Sequence, residues 1–272
     1  MRQVLSFLFA CSCCFSCTER HPDTDVVIHT QWGDIEIDLY DDTPIHKANF
    51  LRLIDDDFYE DLLFHRVISD YIIQGGDPLS RNAAPHTLLG EGDTPYLLDA
   101  EINYPTHFHK RGTLAAARKS GPENPDKQSS GCQFYLVWGQ KMTQRELNRI
   151  TRNRREQQTQ ERVNTLYAQA HDRASFLETL DDLMPLALFT DSIRRVAKEQ
   201  LTTENAYYTL PDSIAKQYIE HGGTPYLDND YTIFGEITKG LDIVEKIQQV
   251  DCDENNRPVQ DIFMQISLRW LA

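Results

Sequence analysis

The sequence predicts a mainly β fold, a closed antiparallel barrel that is capped by two helices and carries a helical insertion. Short stretches of alternating apolar and polar residues recur along the chain, and only two helical patterns lie among them. Between residues 140 and 222 the apolar residues take helical spacing instead. Many short strands with few helices are typical of a closed antiparallel barrel, so the helical stretch is interpreted as an insertion in it.

The strands and helices follow from these patterns in chain order. Residues 26–28 open the first strand, and after a hairpin turn at residues 32–34 the apolar Ile35, Ile37 and Leu39 alternate with their neighbours. Thr43-Pro44 begins a helix, with a capping hydroxyl and a proline at the first helical position. The remaining strands are predicted at residues 62–68, 71–74, 113–117, 133–137, 231–237 and 262–270, and the second helix at residues 241–250.

The insertion shows three groups of apolar residues at helical spacing, at Phe176/Leu180/Leu183, Ile193/Val196 and Ile214/Tyr218. Thr143 and Glu146 have the pattern of a capping box, which predicts a helix start. Residues 151–162 include no apolar residue. This stretch is therefore predicted to be solvated on every side and to project into solvent.

The composition is that of a globular protein with an acidic surface. The chain has 272 residues, of which 40% are hydrophobic and 25% charged, and its formal net charge is −15. This length suits one large domain, or one domain with an appendage. Because phosphate binding needs clustered cations, the acidic balance disfavours nucleic acid as a partner.

The first 17 residues have the pattern of an export signal. Met1-Arg2 gives a positive start, residues 4–10 are mostly apolar, and four cysteines follow within residues 11–17. The apolar run is too short to span a bilayer as a helix. A metal cluster is a poorer interpretation of these cysteines, because no CxxC pair has a matching pair downstream.

This segment resembles a bacterial lipoprotein signal, in which a small residue precedes a cysteine that receives lipid. Cys17, which follows Ser16, is the preferred lipidation site, and Cys11 is the alternative because Leu8 to Ala10 match the usual preceding residues better. Ordinary cleavage and retention in an inner membrane are further alternatives. Residues 18–25 are polar and are interpreted as a tether. We therefore expect an exported lipoprotein, anchored to a membrane of the bacterial cell envelope and facing the periplasm.

The remainder of the chain predicts neither a disulfide framework nor a metal site. Only Cys132 and Cys252 follow the signal, and two cysteines in so long a chain are expected to be unpaired thiols. His107 and His109 could face one way on a strand, but no third ligand lies at a convincing spacing. No cofactor is expected.

Four segments in order carry a resemblance to a known family. Residues 64–68 (FHRVI) and 71–77 (YIIQGGD) resemble the cyclophilin signature in sequence and spacing. Residues 112–117 resemble the family's groove-lining strand. Residues 130–135 resemble its SQFF segment, and residues 226–235 resemble its WLDGKHVVFG segment. The resemblance covers residues 26–139 and 223–271. The chain is therefore similar to the cyclophilin-type peptidyl-prolyl cis–trans isomerases.

The resemblance implies an eight-stranded barrel in a domain of residues 26–272, with the insertion of residues 140–222 beside the substrate groove. It implies catalysis of X-Pro bond rotation in exported, unfolded or partly folded polypeptides. The alternative is a chaperone module that binds proline-containing chains with little catalysis. Arg66 separates the two functions, because binding alone would not require it.

The chemistry of the reaction explains the residue types that the resemblance assigns. Amide resonance slows X-Pro rotation with a barrier of roughly 18–20 kcal/mol, so the catalyst must bind the twisted amide best. Arg66 is the expected donor to the prolyl nitrogen, since a guanidinium stays protonated, and Gln74 is expected to orient Arg66. Because no proton is transferred, His65 is expected to be structural. The expected substrate-binding residues are Tyr71, Ile72, Ala117, Arg118, Gln133, Phe134, Tyr135, Leu227 and Tyr231.

Four residues within these segments differ from the family pattern. Ile72 replaces the usual Met and gives a stiffer wall. Tyr135 replaces a deep Phe and adds a hydroxyl that needs a partner or water. Tyr226 stands where well-studied eukaryotic members have Trp, which implies weak cyclosporin binding. Tyr231 stands where those members have His and still provides an aromatic wall.

Overall fold

The structure is a computed structural model that describes residues 26–121, 123–179 and 184–269. The predicted signal and tether, with Cys11 and Cys17, lie outside these described residues, as do Leu180, Leu183 and Trp270. Within them, no helix is long and apolar enough to cross a membrane.

The strands are short, as the sequence predicts. In chain order they are β1 (Val26–Thr30), β2 (Gly33–Leu39), β3 (Leu62–Leu63), β4 (Arg66–Ile68), β5 (Ile72–Gly75), β6 (Leu97–Leu98), β7 (Thr113–Ala116), β8 (Ser129–Ser130), β9 (Phe134–Val137), β10 (Ile233–Lys239) and β11 (Phe263–Leu268).

The helices fall into two groups. Two of them pack on the sheet, namely α1 (Pro44–Asp55) and α6 (Leu241–Ile247). The others belong to the insertion, namely α2 (Gln144–Gln169), α3 (His171–Glu178), α4 (Met184–Thr203) and α5 (Asp212–Glu220). Single 3-10 turns lie at Pro78–Ser80 and Pro225–Leu227.

Nine of the strands form one curled antiparallel sheet in the order β3-β11-β1-β2-β10-β7-β9-β5-β4, and β6 pairs with β8. The predicted mainly β antiparallel fold is confirmed. The predicted strand over residues 62–68 is instead split, because Phe64 and His65 lie in no strand. Its two parts pair with different neighbours: β3 with β11, and β4 with β5. The main sheet therefore has nine strands rather than the expected eight.

The main core lies between the sheet and the two helices that pack on it. One buried cluster contains Ile28 and Ile37 from the sheet, Phe50 from α1 and Val244 from α6.

The helix starts differ from each other. Pro44 begins α1 as predicted, but the hydroxyl of Thr43 donates to the carbonyl of Tyr40 at 3.2 Å instead of capping the helix.

The start of α2 is the predicted capping box. The Glu146 amide donates to the Thr143 hydroxyl at 3.3 Å, and the Thr143 amide donates to the Glu146 carboxylate at 2.7 Å.

The two ends of the insertion lie side by side, because Gln140 and Gly223 form a β-bridge. A Cβ on Gly139 would lie 2.3 Å from the carbonyl oxygen of Gly223, so only glycine permits this approach.

The structure corrects the prediction that the polar stretch of residues 151–162 is solvated on every side. Thr159 is buried, and its hydroxyl donates to the Arg155 carbonyl at 2.8 Å. The side chain of Arg154 is only 14% exposed. Hydrogen-bonding partners allow polar side chains to be buried without an apolar face, which spacing alone does not reveal.

Candidate functional site

A row of three polar side chains lies across neighbouring strands. The register of β4 and β5 sets Arg66 opposite Gln74, and the Arg66 guanidinium donates to the Gln74 side-chain oxygen at 3.0 Å. The Gln74 amide then donates to the side-chain oxygen of Gln133 at 2.9 Å. Arg66 is half-buried. The chain of bonds therefore holds its guanidinium in one orientation.

Gln133 is anchored at the far end of this row by a loop. Its amide nitrogen donates to the carbonyls of Gly90 at 2.9 Å and Gly92 at 2.6 Å. The loop is held in turn by the fully buried Asp77, whose carboxylate accepts the amides of Gly90 and, at 2.7 Å, Leu79. Asp77 thus fixes the row through the loop.

Glycine is required within this motif. Gly76 has a φ of +92°, and a Cβ there would lie 2.2 Å from the carbonyl oxygen of Cys132. An L side chain would therefore push β5 away from the residues preceding β9.

An apolar cluster adjoins the row, because Gln74 on β5 faces Tyr135 on β9. We call it the pocket cluster. Its buried members are Ile72, Ala115, Tyr135, Val137 and Ile233, and the half-buried Tyr40, Tyr71, Ala117, Leu227 and Tyr231 pack against them. The structure thus brings together six of the substrate-binding residues expected from the sequence, namely Tyr71, Ile72, Ala117, Tyr135, Leu227 and Tyr231.

Phe134 corrects the expectation that it lines the same pocket. Successive residues of a strand point to opposite faces, so Phe134 and Tyr135 cannot share one. Phe134 is buried in the main core, where its ring meets Phe50 edge-on at 5.5 Å and Tyr59 at 5.7 Å. Phe134 therefore belongs to the main core and not to the pocket cluster.

Arg118 lies against the aromatic wall of the pocket cluster. Its guanidinium stacks on the ring of Tyr231 at 4.6 Å and donates to the Asp230 carbonyl at 2.6 Å. The Tyr231 ring meets Tyr135 edge-on at 5.8 Å. Burial raises the pKa of Tyr231 above its ordinary value, while the charges of Arg118 and Arg66 act in the opposite direction. Tyr231 therefore stays a neutral wall at physiological pH.

The hydroxyl of Tyr135 has a partner that the sequence did not reveal. It lies 2.9 Å from Nε2 of His109, whose Nδ1 lies 3.1 Å from Asp228. His109 and Asp228 are fully buried. Burial raises the pKa of Tyr135 well above its ordinary value, so the hydroxyl keeps its proton.

Asp228 joins this pair to the insertion. Its carboxylate also accepts the hydroxyls of Tyr218 on α5 at 2.8 Å and of Tyr208 at 3.2 Å, and the backbone amide of His109 at 2.9 Å. The one sequence signal was the pair His107 and His109, which we considered only as possible metal ligands and set aside because no third ligand lies nearby in sequence. His107 instead bonds Asp42 at 2.8 Å.

The segment that carries Leu227 and Tyr231 is held by α2. The guanidinium of Arg154 donates to the Tyr226 carbonyl at 2.5 Å, to the Asp228 carbonyl, and to the Asp230 carboxylate at 2.8 Å. Burial alone would raise the pKa of Asp230, but its contacts with Lys127 and Arg154 outweigh this and hold the pKa below its ordinary value. Asp230 thus stays charged and bound to α2.

His65 lies beside the row without joining it. It is buried, and within the part of the chain that the structure describes neither ring nitrogen lies in hydrogen-bonding geometry with a partner. Burial lowers its pKa to about 4, an effect that the charge of Asp77 opposes. A buried histidine whose pKa is lowered to about 4 is neutral at physiological pH, which agrees with a structural role.

Comparison with known proteins places the chain beside one family. The family model for "Cyclophilin type peptidyl-prolyl cis-trans isomerase/CLD" matches residues 25–161 and 195–267. The gap between the two matched ranges falls inside the insertion. Most of the sheet and the whole polar row lie within the matched residues.

Named bacterial relatives agree in sequence. A Staphylococcus saprophyticus protein named as a peptidyl-prolyl cis–trans isomerase is 25% identical over 238 residues, which are 87% of each chain. A Streptococcus pyogenes protein named as a bifunctional phosphatase/peptidyl-prolyl cis–trans isomerase is 25% identical over 250 residues. The match covers 91% of the present chain but only 39% of that longer protein.

Solved structures agree in fold. A crystal structure of a cyclophilin-type isomerase from Cryptosporidium parvum aligns with a TM-score of 0.51 at 19% identity, covering 92% of this chain and 99% of that one. A second structure of that protein, determined with the dipeptide Ala-Pro, aligns with a TM-score of 0.50. At this identity the likeness concerns the fold alone.

Proposed function

The chain belongs to the cyclophilin-type peptidyl-prolyl cis–trans isomerase family, and from this membership we propose that Arg66 and Gln74 catalyse the rotation of X-Pro bonds held against the pocket cluster. Its activity is peptidyl-prolyl cis–trans isomerisation. The observation that carries the assignment of residues is the 3.0 Å bond from Arg66 to Gln74 beside the pocket cluster.

Catalysis requires the twisted amide to be bound more tightly than either planar form. As the bond rotates, the prolyl nitrogen becomes pyramidal and gains a lone pair. Arg66 donates a hydrogen bond to that lone pair, which opposes the return of amide resonance. Gln74 holds the guanidinium, and Gln133 holds Gln74. No covalent bond forms and no proton moves.

The pocket cluster holds the proline ring while the amide turns. Ile72 and Tyr135 supply buried apolar walls, and Leu227 and Tyr231 close the far side. Ala117 and the backbone of Arg118 lie along the peptide. The same pocket could accept Ala-Pro, the dipeptide present with the Cryptosporidium parvum relative. The substrates are therefore proline-containing segments of unfolded or partly folded polypeptides.

A protease-coupled assay with a tetrapeptide containing Ala-Pro tests this function on residues 18–272. We expect catalysed cis-to-trans conversion that is proportional to protein concentration. Binding of the peptide without any rate enhancement would instead identify a proline-binding chaperone module.

We infer that residues 62–68 act as one strand that closes the barrel. The two edge strands of the main sheet, β3 and β4, are consecutive in the chain, and counting them as one turns nine strands into eight. Between them, the Phe64 amide donates to the Ile262 carbonyl at 2.9 Å. Slow hydrogen exchange at the Phe64 and Val67 amides would support closure, and exchange at the rate of a free edge would contradict it.

The protein is further proposed to work as a lipid-anchored protein on the periplasmic side of a bacterial membrane. The support is the sequence pattern of residues 1–17, with Cys17 as the preferred site of lipidation, followed by a polar tether. Its clients would then be exported polypeptides that fold near that membrane.

A further inference from the structure

We propose that His109 is a positioning residue that holds the Tyr135 hydroxyl away from bound proline, so that this tyrosine presents an apolar floor to the pocket. The inference rests on the proposed function, since it names a specificity-determining contact of the same pocket. It starts from the buried chain of polar groups that joins Tyr135, His109 and Asp228.

The first step concerns the direction of the hydrogen bonds. Asp228 is surrounded by donors, namely the hydroxyls of Tyr208 and Tyr218 and the backbone amide of His109. A carboxylate in such surroundings accepts a further proton donor, so Nδ1 of His109 donates to it. In the tautomer that carries its proton on Nδ1, Nε2 is an acceptor, and the Tyr135 hydroxyl donates a hydrogen bond to it at 2.9 Å.

The second step concerns what this bond does to the pocket. Tyr135 is 2% exposed, and its ring stacks nearly parallel to His109 and meets Tyr231 edge-on. A buried hydroxyl without a partner would draw water into the pocket or turn towards another acceptor. Because His109 satisfies it, the face of the ring can pack against proline as a phenylalanine would.

The third step concerns how His109 is held. Its carbonyl accepts the amide of Thr224 at 2.8 Å, and Asp228 lies against its Nδ1. Tyr218 and Tyr208, which come from the insertion, complete the shell around Asp228. The insertion thus contributes to the floor of the pocket through two intervening side chains.

Two substitutions of His109 separate its two bonds. The amide of Asn lies near the position of Nδ1, so His109→Asn keeps the bond to Asp228 and loses the one to Tyr135. The amide of Gln lies near Nε2, so His109→Gln keeps the bond to Tyr135. We expect His109→Asn to weaken binding of an Ala-Pro tetrapeptide about fivefold in an NMR titration, and His109→Gln to stay within about twofold of the parent.

The background Tyr135→Phe supplies the decisive comparison. In that background the hydroxyl that His109 would hold is absent, so adding His109→Asn should cost no further affinity. The exposed His171→Gln is the matched control for histidine replacement, and a denaturant melt of each variant reports folding. Tyr218→Phe should weaken binding in the parent and not in the Tyr135→Phe background.

The outcomes distinguish the inference from the function on which it rests. An inactive parent protein would remove the proposed function itself. An active parent with equal binding by the Asn and Gln variants, or with additive losses in the Tyr135→Phe background, would overturn the positioning role. If His109→Asn fails to fold, an equal loss of binding by Tyr218→Phe in the parent and in the Tyr135→Phe background would overturn it as well.

Discussion

Arg154 on α2 binds Asp230 across 2.8 Å, and this ion pair ties the insertion to the segment that carries Leu227 and Tyr231 of the pocket cluster. The same guanidinium stacks over the ring of Tyr208 at 4.6 Å. One side chain therefore orders both the pocket segment around Leu227 and the connection between α4 and α5.

Replacing Arg154 should loosen that wall. We expect Arg154→Ala to raise KM for the tetrapeptide by about threefold to tenfold, because misplaced binding groups weaken transition-state contacts far from the change. The free energy of unfolding should fall by about 1.5–3 kcal/mol, the range for hydrogen bonds to charged groups. Kinetics and a urea melt measure both effects. Arg152→Ala, an exposed arginine of the same helix, is the control, and equal behaviour of the two variants would show that Arg154 holds nothing.

Replacing Arg66 should remove most of the catalysis. Arg66→Ala deletes the donor to the prolyl nitrogen, and loss of one such donor costs on the order of 10²–10³ in rate. The coupled isomerase assay measures the loss, with the exposed Arg149→Ala as control. The circular dichroism spectrum should be unchanged. Activity within twofold of the parent would contradict the mechanism.

Activity and stability should respond to pH in different ways. No proton transfer is involved, so the isomerase rate should be nearly flat between about pH 6 and 8. A bell-shaped rate profile that disappears on replacing His65 would give that residue the catalytic role denied to it here.

Stability should fall in acid because of His65. Its folded-state pKa is lowered to about 4 by burial, whereas the unfolded chain binds the proton near 6.5. The unfolded state therefore binds more protons between these values, and the free energy of unfolding decreases as the pH falls from about 6.5 towards 4, by roughly 3 kcal/mol in total. Urea melts at several pH values measure this slope. The slope should be smaller in His65→Gln than in the parent and than in the exposed His171→Gln.

Membrane attachment should depend on Cys17. In a bacterial host the full chain should fractionate with membranes and carry lipid on Cys17 after cleavage. Cys17→Ala should release the protein or block its processing, whereas Cys13→Ala should not. Mass spectrometry that finds an unmodified mature chain beginning elsewhere would contradict the proposal, and lipid on Cys11 would move the site.

Deleting the insertion should weaken substrate binding at the pocket cluster, as well as any binding of client polypeptides by the insertion itself. Replacing residues 141–221 with a short Gly/Ser linker removes Arg154, Tyr208 and Tyr218, which leaves Asp228 with His109 as its partner. Each lost bond to a buried group costs about 1–3 kcal/mol, so we expect lower stability and slower turnover of the tetrapeptide. Asp228→Asn in the deletion variant should restore part of the stability. Unchanged tetrapeptide turnover with a loss only on a refolding protein would confine the insertion to client binding.

The Arg66–Gln74 part of the polar row could be predicted from sequence because it is local. Arg66 and Gln74 face each other across one hairpin, so a short motif carries both the residues and their spacing. The partner of Tyr135 could not be predicted in this way. His109 and Asp228 are 119 residues apart, and their contact depends on the sheet topology and on where the insertion returns.

Two errors of the sequence reading have simple physical causes. Assigning both Phe134 and Tyr135 to the pocket overlooked the alternation of side chains along β9. Expecting residues 151–162 to be wholly solvated assumed that burial needs apolar residues. Thr159 is buried and Arg154 half-buried instead, through bonds to carbonyls and a carboxylate that apolar periodicity does not detect.

The bridge between Gln140 and Gly223 has a consequence for the history of the chain. Because the two ends meet side by side, an ancestral gene could acquire the intervening segment in one event without moving any strand. Once Arg154, Tyr208 and Tyr218 had bound the Asp228 region, the reverse event would strip a buried carboxylate of its partners. Gaining the segment would therefore disturb the sheet little, whereas deleting it afterwards would destabilise the protein. We expect its loss to be rarer than its gain.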